Sequence, residues 1–109
     1  MKATIRKELI LKVMEALADR GAVGQGLAFD IDGTGNCGFL RLERGYAADK
    51  QVCLKTAAVK NGDDHLVQHF YHYEASMDEM KKWLLDPRNA DGIIGSLAEL
   101  SGRVDKGFD

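Results

Sequence analysis

Three groups of side chains in this sequence are of types that carry out chemistry. Asp30 and Asp32 are separated by one residue, follow the apolar stretch "LAF" and lead into Gly33-Thr34-Gly35. Nearby carboxylates are common groups for acid–base work and covalent transfer. The remaining groups are the histidines His65, His69 and His72 and the cysteines Cys37 and Cys53. Each group can work as a site only if the fold brings its members together.

The hexapeptide "FDIDGT", residues 29–34, resembles the first motif of the haloacid dehalogenase superfamily of phosphatases, which is DxDGT after a buried strand. The resemblance implies that Asp30 is a nucleophile, that Asp32 is a general acid and base, and that both help to hold magnesium. That family places the motif in a parallel sheet linked by helices, whereas residues 37–59 have the pattern of two further strands without a helix between them. A short motif outside its structural context is weak evidence, so a magnesium-dependent phosphatase-like hydrolase is the alternative hypothesis.

The same residues can also be compared with a calcium-binding loop and with a hairpin turn. An EF-hand loop that started at Asp30 would need an acidic ligand at its twelfth position, where the sequence has Arg41, and helices on both sides. Asp32-Gly33 and Gly35-Asn36 are dipeptides that favour tight turns. We therefore predict a strand followed by a hairpin turn, with the apolar residues of the strand facing inward and both aspartates facing outward.

The histidines are spaced four and then three residues apart, which would align His65, His69 and His72 for zinc on one face of a helix. The segment instead follows Asn61-Gly62, a strong hairpin signal, and is rich in residues that favour strands. In a strand His65 and His69 share a face and His72 points the other way. We therefore expect ordinary histidines, no metal site and no cofactor.

Cys53 lies on a central predicted strand, and pairing about Asn61-Gly62 would place it near Tyr71 or His72. A neighbouring histidine can activate a thiol nucleophile, but no local signature of such an enzyme accompanies this cysteine. With two cysteines and no CxxC motif, we expect both thiols to be reduced and to serve in packing.

Composition describes an ordinary domain and argues against several classes of partner. The chain has 109 residues, of which 45% are hydrophobic and 29% charged, and this suits one domain over residues 1–109. A formal net charge of -2 gives no general attraction to nucleic acid or to acidic membranes. Charged residues interrupt each apolar run before a signal peptide or membrane span could form. We expect a cytoplasmic protein with neither partner.

Apolar residues at spacings of three and four predict the helices. The first helix runs from about residue 3 to residue 20 and ends at the glycine that follows. Ser76 and Glu79 form a capping box for a second helix, which ends before Pro87. A third helix begins near Asn89, and its apolar stripe consists of Ile93, Leu97, Leu100 and Val104.

Alternating patterns predict strands at residues 27–31, 37–44, 51–59 and 65–75. Their connections are short, so each neighbouring pair is expected to be antiparallel. The predicted fold class is α+β, with an N-terminal helix, a four-stranded antiparallel meander, and two C-terminal helices packed with the first on one face of the sheet.

The sheet face away from the helices is predicted to carry aromatic and charged side chains. It contains Asp30 together with Phe39, Arg41, Glu43 and Lys55, and with either Tyr71 and Tyr73 or Phe70 and His72. Aromatic and arginine side chains amid mixed charge are typical of protein-binding surfaces. Isolated aromatics on a solvated surface are the other interpretation. RNA bases could stack there, but backbone binding would need an excess of basic charge that this face lacks.

The leading hypothesis is a small non-catalytic binding protein that acts through this open face or as a homodimer. Its size and single core suit the inhibitors, immunity proteins and accessory factors carried on mobile genetic elements. The expected binding residues are Phe39, Arg41, Glu43, Lys55, Tyr71 and Tyr73. A homodimer whose function lies in a cleft between subunits is a third possibility.

Overall fold

The computed structural model of the protein describes residues 5–31, 35–45, 52–60 and 67–106, with the side chains of 67–72 and 105–106 outside that description. The elements are α1 (Lys7–Arg20), β1 (Gly26–Ile31), β2 (Asn36–Arg44), β3 (Val52–Val59), β4 (Val67–Ala75), α2 (Met77–Leu84), a 3-10 turn (Pro87–Asn89) and α3 (Ala90–Lys106). The predicted α+β layout of one helix, four strands and two helices is confirmed.

The four strands form one antiparallel sheet in the order β1-β2-β3-β4, so β2 and β3 are central and β1 and β4 are edges. Gly35 lies in the connection between β1 and β2 with a φ of 74°, a left-handed conformation that favours glycine. The Asp32-Gly33 half of the predicted turn lies outside the described residues. Phe29 pairs directly with Gly38, where an added Cβ would come within 2.7 Å of the phenyl ring.

The three helices pack on the same face of the sheet and form the core there. α3 lies against β3 and β4, whereas α1 contacts β1, β2 and both other helices. The completely buried side chains of this core include Leu40, Leu42, Val52 and Leu54 from the sheet and Ile10, Met14, Leu17, Met80, Ile93 and Leu97 from the helices. Each such side chain contributes about 1.5–3 kcal/mol by leaving water. No helix among the described residues is long and apolar enough to cross a membrane.

The first helix begins at Lys7, later than the predicted start near residue 3. Arg6 has an extended backbone and provides no side-chain cap. Ile5 precedes the helix but is still partly buried against the core, so its place in the apolar pattern reflects packing and not helical structure. The predicted end of the helix is confirmed, since Gly21 caps it at a φ of 54° and donates its N–H to the Leu17 carbonyl.

Polar contacts cap the second helix and tie the third helix to the sheet. The Ser76 hydroxyl accepts from the Glu79 N–H at 3.3 Å, so Ser76 caps α2 as predicted. The Glu79 carboxylate accepts from the Ser76 hydroxyl at 3.1 Å, whereas the predicted capping box has it accept from the Ser76 backbone N–H. On the helix side of the sheet, Asn36 donates to the Ser101 hydroxyl at 3.0 Å. Both side chains are buried, and the bond links the start of β2 to α3.

The pairing of β3 with β4 differs from the predicted one. A two-residue turn at Asn61-Gly62 would pair Val59 with Asp64, whereas the structure pairs Val59 with Val67. The register also shifts between Leu54, which pairs with Tyr73, and Lys55, which pairs with Tyr71. Such a bulge inserts one residue and ends the simple alternation of faces along β4. The connecting residues 61–66 lie outside the described part of the chain.

Candidate binding face of the sheet

The face of the sheet opposite the helices is the candidate site, and the register determines which described side chains occupy it. Residues that alternate with the core positions belong to this face. We call it the open face; it comprises Ala28 and Asp30 on β1, Cys37, Phe39, Arg41 and Glu43 on β2, and Cys53, Lys55, Ala57 and Val59 on β3. The structure thus brings together four of the residues predicted to bind: Phe39, Arg41, Glu43 and Lys55.

Glu43 is the centre of a charged cluster at one end of the open face. Its carboxylate lies 2.9 Å from the Lys55 ammonium and 3.6 Å from the Arg41 Nε. The Lys55 side chain is 21% exposed and the Arg41 side chain 59% exposed. Lysine is therefore held against the sheet, whereas arginine extends into solvent and has freedom to meet another charge.

Phe39 is the aromatic residue of the open face among the described side chains, and it is half-buried. Ala28 pairs with it on β1 and Ala57 on β3, so the ring lies between two small side chains. Val59 and Cys37, which form the next pair toward the end of these strands, are also half-buried. The open face therefore has an apolar end around Phe39 and a charged end around Glu43.

Cys53 lies on the open face but is completely buried there. Its partners across the sheet are Glu43 on β2 and Glu74 on β4. Burial and, to a smaller extent, the Glu74 carboxylate raise the pKa of the thiol to about 11; Lys55 opposes this effect and Glu43 adds to it. The thiol is protonated at neutral pH, which argues against a nucleophilic role.

The register also corrects the expected neighbours of Cys53. The sequence placed Tyr71 or His72 beside it, whereas its partner on β4 is Glu74. Two features account for the difference: β4 is displaced along β3, as the pairing of Val59 with Val67 shows, and the register shifts by one more residue between Leu54 and Lys55. A carboxylate beside a buried thiol favours the protonated form, which is the opposite of activation.

Asp30 is exposed on the open face near the end of β1, as predicted. It pairs with Cys37 across the hairpin, and its carboxylate lies 4.0 Å from the Cys37 sulfur. Asp32, the other carboxylate of the pair, lies outside the described residues. The haloacid dehalogenase resemblance implies a parallel sheet with helical crossovers, but β1 is followed directly by an antiparallel partner.

Tyr73 does not join the open face. It pairs with Leu54, packs against the helix-side core and stacks on Trp83 of α2, with ring centroids 4.9 Å apart and planes inclined by 12°. The bulge in β4 accounts for the difference, because the prediction assumed uninterrupted alternation. Tyr71 pairs with Lys55, but its side chain is outside the described part, as are those of Phe70, His69 and His72. His65 lies in a segment that the structure does not describe.

Two shallow depressions lie on the helix side in the described part of the chain. A groove between α1 and α2 is lined by Lys12, Glu15, Asp19 and Lys81 with short apolar neighbours. A smaller recess beside the Tyr73–Trp83 stack is bordered by Glu79, Lys82, Asp86 and Asn89. The described residues do not gather three His, Cys, Asp or Glu side chains that could hold a metal ion.

In the part of the chain that the structure describes, fold and site together define a small α+β protein with one sheet face covered by helices and one face without them. Comparison of the chain with protein-family models, with curated proteins and with solved structures finds no match.

Proposed function

We propose that the protein is a small non-catalytic binding protein that engages another protein through the open face of its sheet. The type of protein that we propose is an inhibitor, immunity protein or accessory factor of a mobile genetic element. The proposal rests on one observation: Phe39 and the exposed Arg41 are neighbours on the same face of β2, two residues apart. Aromatic and arginine side chains contribute disproportionately to binding energy at protein interfaces.

The neighbourhood of Phe39 supports the proposal. Phe39 stands between Ala28, which is exposed, and Ala57, which is buried, so the ring borders solvent on its β1 side. Both Phe39 and Arg41 belong to the central strand β2, whose backbone is paired on both sides. A surface on such a rigid element loses little conformational entropy when it binds.

The first experiment is partner capture with Phe39→Ala and with the double variant Phe39→Ala, Arg41→Ala. Phe39→Ala is expected to reduce the amount of specifically retained partner, and the double variant to abolish capture. The matched control is Glu99→Ala, Arg103→Ala, which removes an exposed ion pair from α3 on the helix side. Capture by this control should equal that of the wild type.

Undiminished capture by the double variant, with its fold intact by circular dichroism, would overturn the proposal. Equal loss in the control and in the open-face variant would do the same, because it would remove the distinction between the two sides. A partner retained by wild type and control but lost by both open-face variants would support it.

A further inference from the structure

The outer edge of β1 carries backbone groups that pair with no strand among the described residues. In the described sheet β1 pairs with β2 alone. Leu42 donates its N–H to the Gln25 carbonyl at 2.8 Å, so this carbonyl points toward β2 and the N–H of Gly26, in the same trans peptide, points away. In an antiparallel strand, successive residues direct their N–H and C=O groups alternately to one side and to the other. Gly26, Ala28 and Asp30 therefore direct both groups away from β2.

Among its described residues, this edge lacks three of the usual protections against pairing, namely proline, lysine and a bulge, and its one charged residue is Asp30. β1 contains no proline and no lysine, and its register with β2 is regular throughout. The opposite edge, β4, has an irregular register and lies beside α2 and α3. Because natural sheets normally block a free edge with such features, the regular edge is the one suited to receive another strand.

Because Gly26 has no side chain, the Arg41 side chain can extend across β1 toward its outer edge. It pairs with Arg41, and an added Cβ at residue 26 would lie 3.1 Å from the Arg41 Cγ and 3.3 Å from its Cβ. The stem of Arg41 therefore passes beside the glycine on the open face. Asp30 is exposed on the same face, two pairs farther along β1.

These positions are self-complementary. An antiparallel copy of β1 centred on Ala28 places residue 30 of one strand opposite residue 26 of the other. Asp30 of each copy then lies next to the glycine over which Arg41 of the other copy extends, which gives two equivalent ion pairs. In the same register Leu27 faces Phe29 on the helix side, where both are half-buried in the single chain.

We propose that β1 binds β1 of a second copy in this antiparallel register and joins the two sheets into one continuous sheet. The outward groups of Gly26, Ala28 and Asp30 then form hydrogen-bonded pairs, and the Leu27–Phe29 contacts are the closer, non-hydrogen-bonded pairs. A twofold axis at Ala28 makes the contact closed, so it gives a dimer and not a fibre. The interface lies beside the open face and leaves Phe39 accessible for another partner.

Sedimentation analysis of the full chain over a concentration series tests this pairing with Ala28→Pro. Proline at residue 28 removes an N–H that points outward and leaves the bonds between β1 and β2 in place. The wild type is expected to dimerise, and Ala28→Pro to remain monomeric with an unchanged circular dichroism spectrum. The matched control is Ala28→Ser, which retains the N–H and should still dimerise.

A charge exchange tests the register without altering the backbone. Asp30→Arg and Arg41→Asp should each raise the dimer dissociation constant roughly tenfold, because each change turns two attractions into repulsions. The double variant Asp30→Arg, Arg41→Asp should return the dissociation constant to within about threefold of the wild-type value, because opposite charges again face each other across the interface. Added salt should weaken the wild-type dimer modestly.

Three outcomes would overturn the pairing: a wild-type monomer throughout the millimolar range, a dimer that persists in Ala28→Pro, or charge variants whose effects add without rescue. A dimer abolished by Phe39→Ala but retained by Ala28→Pro would locate self-association on the open face instead. Failure of the partner-capture experiment leaves these predictions unchanged, because Phe39→Ala should dimerise like the wild type.

Discussion

The two faces of the sheet differ in how their side chains are held. On the helix side, Leu40, Leu42 and Leu54 are completely buried and contact other apolar side chains. On the open face, the Glu43 cluster remains partly in water, where an ion pair contributes about 0.2–1 kcal/mol. A single leucine on the helix side thus outweighs an ion pair on the open face. The open face has correspondingly more freedom to vary its surface without loss of the fold.

The largest expected effect comes from Leu42→Ala. Because Leu42 is completely buried, truncation should lower the free energy of unfolding by about 2–5 kcal/mol through lost burial and a remaining cavity. Urea denaturation measures the change, and Phe39→Ala on the same strand is the matched variant from the open face. Its cost should be smaller, since the ring is half-buried. Equal losses of unfolding free energy in the two variants would contradict the difference between the two faces.

The next effect concerns Cys53, which lies on the open face but is completely buried. Its pKa of about 11 in the folded protein exceeds the ordinary value of 9.0, so the folded state holds the proton more tightly. The resulting stabilisation is complete below pH 9.0 and is lost as the pH rises through about 11. At about 1.4 kcal/mol per pKa unit, this rise of about two units corresponds to a loss on the order of 3 kcal/mol.

Chemical denaturation of the wild type and of Cys53→Ala at several alkaline pH values isolates this contribution. The difference in unfolding free energy between the two proteins should shrink as the pH rises from neutral, because the alanine variant has no thiol to ionise. A difference that stays constant across the range would show that burial of the thiol does not affect its titration.

A smaller change, in the stabilising direction, is expected for Thr56→Val on the helix side. The Thr56 hydroxyl is buried and has no hydrogen-bond partner among the residues that the structure describes. An unsatisfied buried hydroxyl costs about 1–3 kcal/mol, and valine has nearly the same shape. The variant should therefore be more stable by about 1 kcal/mol in thermal or urea unfolding. Destabilisation would indicate that the hydroxyl is satisfied after all.

The smallest effect is expected for Glu43→Gln on the open face. Loss of its contacts with Lys55 and Arg41 should lower stability by less than about 1 kcal/mol, because these groups are partly exposed. The difference from the wild type should diminish at high salt. A loss as large as that of Leu42→Ala would mean that the cluster supports the fold and that the two faces contribute equally.

The sequence predicted those parts of the fold that depend on local periodicity. The four strands, the helix cap at Ser76 and the buried stripe of α3 follow from spacing and capping chemistry, and all are present. The position of Tyr73 did not follow, because a bulge shifts the faces of β4 and no residue type in that segment signals it.

The candidate site was predictable to the extent that it depends on β2 and β3. Phe39, Arg41, Glu43 and Lys55 share the open face because both strands alternate regularly. The burial of Cys53 and its contact with Glu74 depend on the β3–β4 register, which is set by the length of a connection. The path of Arg41 beside Gly26 is a tertiary contact between strands, and residue spacing does not reveal it.

The hydrogen bond between Asn36 and Ser101 has a consequence for the order of folding. Its two residues are 65 positions apart, so the amide at the start of β2 gains this partner only after α3 has docked. Contacts between distant segments form late, since the loop between them must first close. The start of β2 around Asn36 should accordingly gain slow amide exchange together with α3, whereas the local pairing of β1 with β2 does not wait for this contact.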